Sequence, residues 1–169
     1  MPKHKFLNPA TVAKPVGYTH VVEPMPGRIV FISGQLGLDT EGKIVPGDFR
    51  AQAEQTFANL KSALAAVGAD FSHVVKLNNY FTDIGNIGAF REVRDRYVDT
   101  AAPPASTAVA ISALARPGAL IEVEAIAVIP AKAASPASGS GAAARRGKPA
   151  AKKVKAAAKT KAKASRKRK

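Results

Sequence analysis

The sequence predicts an α+β fold, a mixed sheet with two helices on one face, in the order β-β-α-β-α-β-β. Three observations carry this. Ala53, Phe57, Leu60, Leu64 and Val67 recur at spacings of three and four, the mark of a helix with one apolar stripe. Ile121, Val123, Ala125, Ala127 and Ile129 recur at spacings of two, as one face of a strand does. The two patterns mix without regular β-α alternation, which argues against a doubly wound parallel sheet.

The elements follow in chain order. Met1–Gly17 is dotted with prolines and reads as extended. Tyr18–Val22 and Arg28–Ile32 read as two short strands around the turn-rich Glu23–Gly27, and Ser33-Gly34-Gln35 is expected to break the second. Asp48 is a suitable N-cap and Gly68 a suitable left-handed C-terminal cap for the striped helix. His73–Phe81 is rich in β-branched and aromatic residues and reads as a strand. Phe90, Val93 and Tyr97 mark a second helix, expected to end near Thr100. Thr107, Val109, Ile111 and Ala113 alternate as a strand, Arg116-Pro-Gly118 turns the chain, and Leu120–Ile129 is the last strand. The sheet face away from the helices carries too many apolar residues for water, so a second copy of the chain is expected to cover it.

Charge divides the chain. Residues 131–169 hold 14 Lys and Arg and no acidic residue, whereas residues 1–130 hold 12 basic and 12 acidic ones. This predicts a folded domain over 1–130 and a disordered basic tail over 131–169, because a Lys/Ala/Pro stretch cannot bury enough apolar surface to fold. The absence of cysteine excludes disulfides and thiolate metal sites. Met1–Phe6 lacks the apolar run of a secretion signal. Ala119–Ala131 contains two glutamates and is too short to cross a bilayer, so the expectation is a cytoplasmic protein.

Several segments together resemble the RidA/YjgF family: Tyr18, Ile32-Ser33-Gly34-Gln35, the Gln52–Gly68 helix, Val74-Val75-Lys76, Tyr97, Pro104-Ala105 and Ile121–Val128, in that family's order. The resemblance spans roughly Val16–Pro130 and implies a chorismate-mutase-like α+β fold, a homotrimer and clefts between subunits. It also implies hydrolysis of reactive imines or enamines to keto compounds and ammonia, without metal or organic cofactor.

By that resemblance Tyr18 and Ser33 bind substrate, and Glu122 orients the attacking water. The family's Arg after the Pro-Ala pair is replaced by Ser106, and an Asn of the second helix by Arg94. A serine cannot make the bidentate pair with a carboxylate that a guanidinium makes. Losing such a contact costs roughly tenfold or more in binding. Ser106 and Thr107 are placed in the pocket by position, with Arg94 and Arg116 as candidate replacement cations. Plainer roles remain open for each: Tyr18 in the core, Ser33 in a turn or bulge, Ser106 and Thr107 as ordinary strand residues, Glu122 in solvent. Glu124 is expected to be structural, paired with a cation of a neighbouring chain. His4, His20 and His73 are scattered, with no metal-ligand or phosphate-loop spacing.

The tail resembles linker-histone tails in composition. Its cations Arg145, Arg146, Lys148, Lys152, Lys153, Lys155, Lys159, Lys161, Lys163, Arg166, Lys167, Arg168 and Lys169 are candidates for binding DNA or RNA. Without aromatic, Asn or Gln residues, the tail would read phosphates and not bases. The first functional reading is therefore an imine or enamine deaminase with a nucleic-acid-binding tail, cytoplasmic and nucleoid-associated. The alternative is a catalytically reduced trimeric scaffold that presents basic tails to nucleic acid. Ribonuclease activity ranks last, because the sequence shows no His pair for it.

Overall fold

A computed structural model describes residues 4–131. Its elements are β1 (Lys5–Leu7), β2 (Val21–Glu23), β3 (Gly27–Leu36), α1 (Phe49–Ala66), β4 (Val74–Phe81), α2 (Ile87–Arg94), β5 (Ala105–Ala110) and β6 (Ile121–Pro130). The main sheet has the order β3-β6-β4-β5, with β4 and β5 parallel and the other pairs antiparallel.

The local signals act as their chemistry requires. The Asp48 carboxylate accepts the Ala51 N–H at 3.1 Å and starts α1. Gly68, at φ +72°, turns the chain out of α1 while the Ala69 N–H bonds Leu64 O at 2.9 Å. Ala53, Phe57, Leu60 and Leu64 of α1 are buried completely. They meet Leu77 and Phe81 of β4, Ile121, Val123, Ala125 and Ala127 of β6, and Phe90 and Val93 of α2 in one core.

Five expectations need correction. Residues 5–7 form a strand that pairs only with β2, so these two strands make a separate ribbon and the order gains an N-terminal β. Tyr18 lies between the two strands of this ribbon and is not itself in a strand. Ser33-Gly34 does not end β3: three steps from Ile32 to Gln35 face two from Ala125 to Val123, a bulge that keeps the ladder intact. The regular part of α2 stops at Arg94, where the N–H groups of Arg96 and Tyr97 bond three residues back instead of four. Tyr97 still joins the core, stacking on Phe57 at 5.1 Å. β5 also ends at Ala110, short of Ala113: the Ile111 N–H makes the last ladder bond, to Phe81 O, where β4 itself ends.

The helices cover one face of the main sheet. On the other, Ile29 is 60% and Phe31 77% exposed, with Val109 also exposed. No helix among the described residues is long and apolar enough to cross a membrane.

Candidate active site

Glu122 begins on the open face of the sheet. β6 places it opposite Leu36 on one side and Tyr80 on the other. Gln52, itself buried, fixes this end of β6: its amide donates to Gly118 O at 3.0 Å and its carbonyl accepts the Leu120 N–H at 2.9 Å. The bulge then sets Ser33-Gly34 beside the strand, and the Glu122 carboxylate occupies the space that a Cβ on Gly34 would fill. No side-chain hydrogen bond reaches Glu122 from the described residues. Burial first, and the neighbouring Glu124 carboxylate second, hold its carboxyl above the ordinary glutamate value.

Glu124 is differently placed. It accepts from the Tyr80 hydroxyl at 3.2 Å and from the Asn78 amide at 3.3 Å, partners within the same chain. Burial and this carboxylate raise the Tyr80 pKa. Thr107 lies on the open face too, where Lys76 donates to its hydroxyl at 2.6 Å. Burial lowers the Lys76 pKa.

Ser106 faces the other way. Its register partner Leu77 lies in the core, so the side chain of Ser106 points toward the helix layer. There it shares a cavity of about 270 Å³ with Tyr18, Arg91, Arg94, Phe90 and Ile87. The Thr19 hydroxyl and N–H bind the carbonyls of Pro103 and Pro104, tying the Tyr18 segment to the start of β5. Arg94 is buried and binds Asp95 Oδ1 through Nε and Nη2, at 2.9 and 2.5 Å.

The structure thus divides the sequence-predicted residues between two faces of one sheet. Tyr18, Ser106 and Arg94 meet on one, and Glu122, Ser33 and Thr107 stand on the other. Thr107 does not enter the Ser106 cavity, because adjacent strand residues point to opposite faces. Arg116 does not either: it is exposed in the turn before β6, nearest the Gly42 loop. The thirteen named tail cations lie outside the described residues.

Sequence reasoning passed over Arg91 and Asn79. Arg91 stands three residues before Arg94, a spacing that puts both on one helix face. Asn79 interrupts the inward series Leu77, Asn79, Phe81 of β4 and was legible as a polar residue at a core position. The histidines are also less scattered than expected. His4 and His73 line one cavity of about 360 Å³ at the far end of β4, with Phe6, Met25 and Phe71. That cavity contains none of Tyr18, Ser106 and Glu122. No group of three or more potential metal ligands is gathered among the described residues.

Residues 9–129 match the family described as endoribonuclease L-PSP. The protein DfrA of Myxococcus xanthus is 44% identical over 125 residues, covering 73% of this chain and 94% of that protein. The mouse 2-iminobutanoate/2-iminopropanoate deaminase is 40% identical over 101 residues, covering 59% and 73%. Among solved structures, a Rid-family protein of unknown function from Yersinia pestis superposes with a TM-score of 0.69 at 34% identity, covering 76% of this chain and all of that one. RidA from a Psychrobacter species superposes at 0.57 with 35% identity, covering 73% and 98%.

Proposed function

The chain belongs to the endoribonuclease L-PSP family, which is the RidA/YjgF family, and on that premise we propose that it hydrolyses a small imine or enamine to a keto compound and ammonia. Glu122 carries the reading: a half-buried carboxylate over a glycine, unbonded by its neighbours and with a raised affinity for protons. It accepts a proton from water as the oxygen attacks the imine carbon. The proton passes to nitrogen and gives a carbinolamine; its hydroxyl then yields its proton, a second proton reaches nitrogen, and the C–N bond breaks to leave C=O and ammonia. Tyr18, Ser33 and Ser106 shape the pocket, and no cofactor takes part.

Glu122 and the Tyr18–Ser106 cavity face opposite sides of one sheet, so one chain cannot close a single cleft from both. Exposed Phe31 and Ile29 give the open face a reason to pack on another copy. Our reading is a homotrimer of 1–130 domains in which each cleft takes Glu122 from one copy and Tyr18, Ser106 and Arg94 from its neighbour. The assay is ammonia release from freshly generated imines by the full chain. Glu122→Ala should abolish it. Mixing Glu122→Ala with Arg94→Lys protomers should restore about a quarter of the activity, since about one cleft in four then draws both intact halves. No turnover across an imine panel by the parent, or no recovery on mixing, counts against this.

For the 131–169 tail we propose sequence-blind, salt-sensitive association with nucleic-acid phosphates, and with it a cytoplasmic, nucleoid-associated location. Its one-signed charge also favours the alternative of a trimeric scaffold with reduced catalysis. Truncation after Pro130 should abolish DNA retention at low salt. Equal retention by the truncated chain removes the tail from the account.

A further inference from the structure

We infer that the anchoring cation absent from β5 is supplied by α2: Arg94, with Arg91 and the Ser106 hydroxyl, forms a donor pocket for a small monoanion. The inference rests on the reading of this cavity as one half of the ligand cleft, and assigns its charge selectivity to particular residues.

Arg94 is held as a fixed anchor would be. Only 4% of it is exposed. Asp95 takes Nε and Nη2 through one oxygen, and the guanidinium carbon lies 5.6 Å from the Phe90 ring centroid. Gly17 closes over it: a Cβ there would come 2.5 Å from Nη2 and 3.3 Å from Nη1, and φ is +74°. Gly17 is therefore needed for both backbone shape and room. The Nη1 group makes no hydrogen bond to the described residues, and Arg94 lines the cavity. A buried guanidinium with two of its nitrogens committed retains donors for a ligand.

Asn79 sets the polarity of Ser106. The Asn79 amide nitrogen donates to Ser106 Oγ at 2.9 Å and to Thr107 O at 2.7 Å. A flipped amide would set Oδ1 against the Thr107 carbonyl, so that carbonyl fixes the orientation. Ser106 Oγ therefore accepts from behind, and its own proton is left for the cavity. Asn79 is 1% exposed and its Oδ1 has no partner. A buried orphan acceptor is costly, and here it accompanies a serine committed to donating. Asn79 is a positioning residue.

Charge defines the ligand. Arg91 and Arg94 are opposed by Asp95 alone of the groups described here, leaving one net positive charge, so a monoanion is complementary. A cavity of about 270 Å³ suits a small metabolite. A serine also leaves open the volume an arginine at 106 would fill, so the anion seats between the Ser106 hydroxyl and α2.

The test is calorimetric titration of the full chain with 2-oxobutanoate, an unreactive monoanion, and with butanone as its neutral counterpart. The parent should bind the anion saturably and in a salt-sensitive way, and butanone at least about tenfold more weakly. Arg91→Gln, at a partly exposed position, should weaken the anion several-fold, and Arg94→Lys about tenfold or more. Both should weaken the anion by a larger factor than butanone, whose carbonyl lacks the charge. Ser106→Arg should weaken the anion by filling its seat. The inference is overturned by no saturable binding to millimolar concentration, by anion affinity indifferent to both α2 variants, or by tighter binding in Ser106→Arg. Arg91-dependent binding without imine turnover would uphold the pocket and remove the deaminase reading. Glu122-dependent turnover indifferent to Arg91 and Arg94 would do the reverse.

Discussion

Replacing Gly34 by alanine tests whether the position of one carboxylate sets the rate. An ideal Cβ at Gly34 would stand 2.6 Å from Glu122 Cδ and 2.9 Å from Cγ. Carbon atoms rest at about 3.5–4.0 Å and Oε1 would stand nearer still, so the Glu122 carboxyl must retreat by at least about 1 Å. The displaced group is the end of a flexible, half-buried side chain, and Gly34 lies outside the positive-φ region, so the fold should tolerate the change. A base misplaced by about 1 Å can lose about a hundredfold in rate, or about 2.7 kcal/mol of barrier. Steady-state ammonia release should therefore show kcat lowered about a hundredfold, while the thermal unfolding midpoint stays near the parent's. The double variant Gly34→Ala/Glu122→Ala should lose no more than Glu122→Ala alone, because both act through one carboxylate. Parental kcat in Gly34→Ala, or losses that multiply in the double variant, would refute the reasoning.

Three further outcomes follow from the same geometry. Glu122 works as a base only when ionised, and Glu124 raises its pKa, so Glu124→Gln should move the acid limb of the pH–rate profile to lower pH. Burial is the larger cause and persists, so the limb should stay above the ordinary glutamate value; a limb moved upward contradicts the assignment. Phe31→Asp puts a charge at the centre of the exposed apolar face and should leave far-ultraviolet circular dichroism unchanged while lowering the mass seen in sedimentation. An unchanged mass would mean that this face is not the contact. Asp48→Ala removes the α1 cap and should cost about 1 kcal/mol, seen as a midpoint lowered by about 4 °C, with kcat unaltered; a midpoint within 1 °C of the parent's would deny the cap its role.

Local chemistry was legible where it was self-contained. Asp48 and Gly68 delimit α1 because each satisfies orphan backbone groups within a few residues. The alternation of β6 placed Glu122 and Glu124 on a common face, as found. What depended on distant partners was less legible. Ser33-Gly34 suits a strand end, yet β6 continues alongside and converts the interruption into a bulge. Ser106 and Thr107 looked equivalent until β4 fixed the register and sent them to opposite faces. Arg94 and Arg116 were equal candidates from composition. Only the packing of Gly17 and Phe90 around one of them, and the exposure of the other, separates them.

The division of the site between two faces has a consequence for its evolution. A cleft closed within one chain would couple Glu122 and its anion anchor through the same strands, so a change at either would disturb both. Here β6 and the bulge of β3 hold Glu122, whereas α2, β5 and the Tyr18 segment hold the cavity. If two copies complete the cleft, each half keeps its own support. A guanidinium can then be lost from β5 and gained on α2 while the carboxylate we propose to activate water keeps its setting over Gly34. The buried Asn79 fits this view: it is a local cost on the cavity side, hydrogen-bonded to the substituted residue, and it lies on the opposite face of the sheet from Glu122, whose register partner is the adjacent Tyr80. On the proposed function, substrate range and hydrolysis then vary separately, through the face that each copy would contribute.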